Sequence, residues 1–230
     1  MEACSSRRSS CKIAAKSFNA TSFGSLQRSQ ARNRGYARSP SNVGTPVARH
    51  ALRKGMPIET ARLRLTPLRA EDAEAMFPLL SDPATYRYVD YGPPPSVEYL
   101  QSVYRRQCEG RSADGKQRWF NWIVRDPNDQ PLGYVQATVL EDSSAYVAYF
   151  LASKFWGCGY ASESLSALLR YLNSTWRVTA FLATVEVENR RSINLLERMG
   201  FTEAEVTHPA AGTLTSTERL YILSVTHRSD

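Results

Sequence analysis

The sequence predicts an α+β domain in which a mixed, mainly antiparallel sheet of about seven strands carries helices on both faces. Three observations predict it. Residues 145–152 are an apolar and aromatic run of strand length, and the glycines Gly157 and Gly159 separate it from a helical pattern in Ala161, Leu165, Leu168, Leu169 and Leu172. A second strand and helix follow over 178–187 and 189–200. Upstream, residues 119–125 and 131–140 read as antiparallel strands joined by the turn-forming run Asp126, Pro127, Asn128, Asp129, Gln130. The resulting order, β-α-α-β-β-β-α-β-α-β-β, mixes hairpins with helical crossovers.

Each element has a local reason. Residues 62–66 alternate polar and apolar, as a half-buried first strand does, and Pro67 is expected to end it. Ala73, Met76, Phe77 and Leu80 have helical spacing, with Glu71 and Asp72 at the end where the helix dipole favours acids, and Pro83 is expected to close this helix. The aromatic loop 86–95 holds Tyr86, Tyr88 and Tyr91, which either cap an edge of the core or line a site. Ser96 is placed to cap a helix carrying Val97, Leu100, Val103 and Tyr104. On the next strand alternation sets Phe120 and Trp122 on one face and Trp119 on the other. Near the C-terminus, residues 205–208 are read as starting a strand, 209–216 as a loop and 219–226 as the last strand.

Chemistry concentrates in residues 145–201. Two glycines around Cys158 permit positive φ and bare backbone, and the amides of such a turn, with the first turn of the following helix, suit a pyrophosphate. Read alone, a short glycine motif is more often an ordinary turn. Further on, Asn189 sits at an N-cap position, Ile193, Leu196 and Met199 have helical spacing, and Gly200 is placed to end the helix in the left-handed conformation, with Phe201 folding back onto it.

These two segments resemble the GNAT superfamily of acetyl-CoA-dependent N-acetyltransferases, and within it the Rim-type group that acetylates protein N-termini and related amines. The phosphate turn of that family, Q/R-x-x-G-x-G/A, stands here as Lys154, Phe155, Trp156, Gly157, Cys158, Gly159, continued by Tyr160, Ala161, Ser162 and Glu163. Its second signature stands as Glu188, Asn189, Arg190, Arg191, Ser192, followed by Leu196, Glu197, Arg198, Met199, Gly200, Phe201. The likeness runs more loosely over residues 58–222.

The resemblance implies that the fourth and fifth strands run parallel and splay apart, leaving backbone groups for the pantetheine arm of acetyl-CoA. It further implies that Phe150, Leu151 and Ala152 pair with that arm, with the N–H of Leu151 as an oxyanion donor. On the same basis Trp156, Gly157, Cys158, Gly159, Tyr160 and Ala161 cradle the pyrophosphate, and Asn189 bonds the arm. Ser192 takes the place of the Rim-type serine that serves the CoA sulfur, while Tyr88, Tyr91 and Phe120 are candidates for the acceptor wall. Two family features are missing: Leu196 stands where many relatives have a tyrosine acid, and Pro209, Ala210, Ala211, Gly212 stand where the Rim-type group has a glutamate base. Glu186 is therefore the carboxylate best placed as a base, with Glu188 next and Glu205 and His208 behind. The implied reaction is direct acetyl transfer to a primary amine, either a small molecule or a protein N-terminus, with ribosomal proteins among the candidates. The competing reading is a catalytically weak CoA-binding sensor or ribosome-associated protein.

Charge is distributed unevenly. The chain has 29 Lys and Arg against 22 Asp and Glu, yet residues 1–55 hold eleven of the basic residues and one acid, Glu2, so the remainder is mildly acidic. That balance points away from a nucleic-acid partner except through the basic segment. Residues 1–55 are rich in Ser and Arg, lack apolar periodicity and are expected to have no fixed structure, with residues 56–230 forming the acetyltransferase domain. They read as an organellar targeting peptide, as an arm for RNA or the ribosome, or as sequence ahead of a true start at Met56. The expected location is cytoplasmic, or organellar if the segment is a transit peptide. No run approaches the roughly 20 apolar residues of a membrane span. Cys4, Cys11, Cys108 and Cys158 form no C-x-x-C pair and the three histidines are scattered, so no metal is expected.

Overall fold

The computed structural model describes residues 12–13, 56–89, 91–205, 207–208, 210 and 214–226. Their strands are β1 (Lys12–Ile13), β2 (Ile58–Glu59), β3 (Arg64–Pro67), β4 (Arg118–Arg125), β5 (Pro131–Val139), β6 (Ser144–Leu151), β7 (Ala180–Glu186), β8 (Thr202–Glu203) and β9 (Glu218–Ser224). The helices are α1 (Asp72–Leu80), α2 (Val97–Cys108), α3 (Tyr160–Trp176) and α4 (Arg190–Arg198). One sheet runs in the order β2-β3-β4-β5-β6-β7-β9-β8, with β1 attached to β6. Six of the seven expected strands lie where the sequence places them and the seventh is displaced, while the two-residue strands β1 and β2, too short to leave a periodic signal, are additions.

Every pairing is antiparallel except that of β6 with β7, the fourth and fifth strands foreseen from the sequence. That parallel ladder joins only Ser144 to Ala180, Ala145 to Phe181 and Tyr146 to Leu182. Beyond it the strands diverge, while β6 stays paired to β5 along its length, from Val139–Ala145 to Gly133–Leu151. In the gap, Lys12 lies opposite Phe150 and Ile13 opposite Tyr149. The remainder of the basic segment, expected to lack fixed structure, lies outside the described residues.

Strand alternation sends side chains into two cores. Tyr149 and Leu151 of β6 join Phe120, Trp122 and Val135 against Ala161, Leu165, Leu168 and Leu172 of α3 and Leu196 of α4. Phe150 points the other way, into a cluster with Ile123, Met76 and Leu80 of α1, and Leu100, Val103 and Tyr104 of α2. Helices on both faces of the sheet are thus held by opposite sides of the same strands. As expected from its spacing, Ser96 caps α2, its hydroxyl accepting from the Tyr99 N–H at 3.2 Å.

Pro67 ends β3 as expected, its last residue standing opposite Trp122, although the strand begins at Arg64 and not at Arg62. Two further boundary expectations need correcting. Pro83 does not close α1. It opens a 3₁₀ turn, Pro83–Tyr86, in which the Asp82 carboxylate accepts from the Ala84 N–H at 3.0 Å. The strand read at 205–208 lies instead at Thr202–Glu203, against Ile222 and Tyr221 of β9, because Gly200 leaves α4 with φ +86 and turns the chain back at once.

Candidate active site

The end of β6, the turn after it, the first turn of α3, the turn after β7 and α4 enclose a cleft of about 580 Å³. Its lining includes Leu151, Trp156, Gly157, Gly159, Tyr160, Ala161, Glu188, Asn189 and Tyr88. The sequence-predicted phosphate turn, the capping asparagine and one acceptor-loop tyrosine therefore meet in one place.

The turn has the backbone geometry that an anion site requires. Gly157 and Gly159 adopt φ of +81 and +80, a region costly to residues with a Cβ, and a Cβ on Gly157 would meet nothing within 4 Å. Gly159 is the N-cap of α3 and offers no side-chain acceptor to the helix's first N–H groups. Those donors and the positive end of a 17-residue helix face the cleft. Across it, α4 has no acid in its first turn and lends Arg190, Arg191 and Arg198 to the lining. The Arg191 guanidinium lies 5.6 Å from the centre of the Trp156 ring.

Backbone direction selects among the strand residues. The N–H of Ala152 donates to the Leu132 carbonyl at 3.0 Å and its carbonyl accepts from Phe155 at 2.9 Å, so the Ala152 N–H is already committed within the protein. Since neighbouring residues of a strand point their N–H groups to opposite sides, the N–H of Leu151 is directed away from β5 and into the gap. The Leu151 carbonyl takes the Trp156 indole N–H at 2.7 Å. The Phe150 side chain stacks on Tyr134 at 5.3 Å, on the α1 and α2 side.

At the base of the cleft Asn189 caps α4, its Oδ1 accepting from the Ser192 N–H at 3.3 Å. The Ser192 hydroxyl lies 3.2 Å from that of Tyr149, both residues being buried. Tyr149 was missed from the sequence because an aromatic in an apolar strand reads as core. Arg190, Arg191 and Arg198 were missed although Arg191, Asn194 and Arg198 recur at helical spacing on one polar face, which is a legible signal.

Other expected residues lie elsewhere. Phe120 is packed between Trp122, at 5.9 Å, and Trp176, at 4.8 Å, and belongs to the core instead of the acceptor wall. Tyr91 does not line the cleft but meets Tyr86 edge-on at 5.9 Å, and it bonds Tyr134. Burial, reinforced by the neighbouring phenols Tyr91, Tyr86 and Tyr104, pushes the Tyr134 hydroxyl well above the ordinary range, so it stays neutral. Glu186 sits opposite Glu218 across β7 and β9 and is not part of the cleft lining, whereas exposed Glu188 is. Cys158 turns its thiol toward the Trp156 carbonyl at 3.7 Å, away from the lining. His208 and Glu205 lie in the loop after β8, and of the run 209–212 only Ala210 is among the described residues. No group of three or more His, Cys, Asp or Glu able to hold a metal occurs among the described residues, and none of their helices is long and apolar enough to cross a membrane.

Comparisons with known proteins agree with this geometry. The chain is 29% identical over 144 residues to the uncharacterized N-acetyltransferase p20 of Bacillus licheniformis, covering 62% of this chain and 80% of that protein. A Salmonella typhimurium acetyltransferase that modifies the N-terminal serine of ribosomal protein L7/L12 superposes with a TM-score of 0.61 at 17% identity, covering 74% of this chain and all of that one (100%). The microcin C7 self-immunity acetyltransferase MccE, solved with acetyl-CoA and AMP, superposes with a TM-score of 0.60 at 16% identity over 72% of this chain and 94% of its own. The acetyltransferase (GNAT) domain family matches residues 62–202, and with the parted strands and glycine turn in place the chain belongs to that family of N-acetyltransferases.

Proposed function

We propose that residues 56–230 transfer an acetyl group from acetyl-CoA to a primary amine, a protein N-terminal amine being the favoured acceptor, by direct attack within a ternary complex. The observation that carries this reading is the parting of β6 and β7 beyond Tyr146 and Leu182, beside a glycine turn with open space at Gly157. Bound acetyl-CoA supplies an activated thioester whose acetyl carbon accepts the amine as the thiolate departs. The residues present fit such a molecule: the turn from Trp156 to Ala161 and the α3 N-terminus would hold its pyrophosphate, and Arg190, Arg191 and Arg198 add positive charge.

The N–H of Leu151 would donate to the oxygen on which charge develops, an effect worth about 3 kcal/mol when the donor is preorganised. Ser192, held by Tyr149, would supply a proton at the sulfur. Glu188, an exposed carboxylate of the cleft lining, would take the proton shed by the amine, and Tyr88 would lie at the acceptor end. The absence of a tyrosine at Leu196 leaves positioning to supply much of the rate. The choice of acceptor class is supported by a structural neighbour that modifies the N-terminal serine of ribosomal protein L7/L12.

Lys12–Ile13 pairs with the β6 edge that the pantetheine arm would use, so that pairing has to give way on binding. A CoA-binding protein without transfer activity is the second reading, favoured by the full burial of Ser192 and by Leu196. Release of free CoA thiol in the presence of a panel of amines and N-terminal peptides separates the two. Turnover with at least one amine is expected, and tight acetyl-CoA binding without turnover would establish the second reading.

A further inference from the structure

Arg62 lies outside the cleft, in the bend between β2 and β3, yet it is seated against Cys158, Gly159 and Tyr160 of the phosphate turn. Its Nη1 donates to the Cys158 carbonyl at 3.0 Å, and its guanidinium carbon sits 4.9 Å from the centre of the Tyr160 ring. Nε and Nη2 reach Glu163 Oε2 at 2.8 and 2.6 Å. The same carboxylate accepts from the Arg62 backbone N–H at 2.9 Å and from the Thr60 hydroxyl at 2.6 Å through Oε1. A Cβ on Gly159 would stand 3.3 Å from Arg62 Nη2, so the guanidinium is seated directly against the turn.

Two physical consequences follow. A turn with two left-handed glycines has much conformational freedom to lose when it grips a ligand, and a fork anchored at Cys158, Tyr160 and Glu163 removes that freedom in advance. Glu163 also places a negative charge in the first turn of α3, where it would oppose a bound phosphate. Burial pulls its carboxyl upward, but hydrogen bonds from Thr60 and Arg62 and the Arg62 charge together hold it below the ordinary value, so it is ionised and its charge is matched by the guanidinium.

We propose that Arg62 is a positioning residue for the nucleotide end of the cofactor: with Glu163 it locks the glycine turn in its anion-binding shape and cancels the carboxylate that would repel the phosphates. The proposal rests on the acetyl-CoA reading above. It assigns a role in cofactor affinity to the strand bend before the domain's first long strand, remote from the acceptor.

Steady-state kinetics on the full chain with two thioesters tests it: acetyl-CoA, and S-acetylpantetheine, which has the arm but no nucleotide. Arg62→Ala is expected to raise KM for acetyl-CoA about tenfold, with kcat unchanged and with KM for S-acetylpantetheine unchanged. Arg62→Lys, which keeps the charge but not the fork, should fall between. In a Glu163→Gln background, Arg62→Ala should add little further, since the two residues act as one unit. An unchanged KM for acetyl-CoA, an equal rise for both thioesters, or additive effects of the two substitutions would each overturn the proposal. A wild-type protein that uses S-acetylpantetheine and acetyl-CoA equally well overturns it while leaving the acetyltransferase reading intact. A wild-type protein that binds neither removes both.

Discussion

Gly157→Ala separates the conformational cost of the phosphate turn from its role in holding a ligand. At φ +81 an alanine is strained by about 1–2 kcal/mol, and its Cβ would meet no protein atom within 4 Å, so no steric term is added. For a domain of this size each kcal/mol lowers the melting temperature by about 2–4 °C, giving an expected fall of about 2–8 °C. Gly115 supplies the control, with φ +75, equally open space around its Cβ and a position outside the cleft. Gly115→Ala should lower the melting temperature by a similar amount. Strain present in both the free and the bound protein cancels from the binding equilibrium, so it cannot by itself weaken the ligand. Calorimetric titration with acetyl-CoA should therefore show wild-type affinity for the Gly115 variant and a loss of about tenfold or more, equivalent to roughly 1.4 kcal/mol, for the Gly157 variant, whose methyl enters the ligand's space. Equal affinities in the two variants would refute the assignment of this turn as the pyrophosphate site.

The catalytic arrangement gives further expectations. Ser192→Ala should reduce kcat by about 100-fold while leaving the dissociation constant for acetyl-CoA nearly unchanged, measured by single-turnover kinetics beside calorimetry; equal loss in both would reduce Ser192 to a structural role. Gly133→Ala should be severely destabilising, by about 3 kcal/mol in urea unfolding, because its Cβ would overlap the Phe150 carbonyl in the neighbouring strand. Deleting residues 1–55 should tighten acetyl-CoA binding, since it removes the Lys12–Ile13 backbone from the β6 edge, and unchanged affinity would show that this pairing does not compete with the ligand.

The sheet and its helices were legible because each carries a strong local signal, while the parting of the parallel strands was expected from the family resemblance. Alternation at 62–66, the cap at Ser96, the glycines at 157 and 159 and the helix stop at Gly200 all act within a few residues. What escaped depended on long-range packing. Phe120 is aromatic and on a strand of the right sheet, but only the fold reveals that Trp176, at the far end of α3, fills the space beside it. Glu186 alternates correctly on its strand, yet whether that face meets the cleft depends on the path of β9, which brings Glu218 opposite. Tyr149 and Arg62 gain their significance from partners 43 and 101 residues away, Ser192 and Glu163, and no window of sequence contains both members of either pair. The direction of the backbone also needed the register: only with Gly133 opposite Leu151 does it follow which amide faces the gap.

The short ladder between β6 and β7 is the weakest join between two long strands of the sheet. Three residue pairs there join two flanks that are otherwise continuous, one built on β2 to β6 and the other on β7 to β9. Widening that join breaks few backbone hydrogen bonds, and what resists it is the apolar cluster that spans it, with Tyr149 and Leu151 on one flank and Phe181 and Val185 on the other. A guest lying across it would act as a clasp, and the price of releasing product is then set by how readily the two flanks move apart.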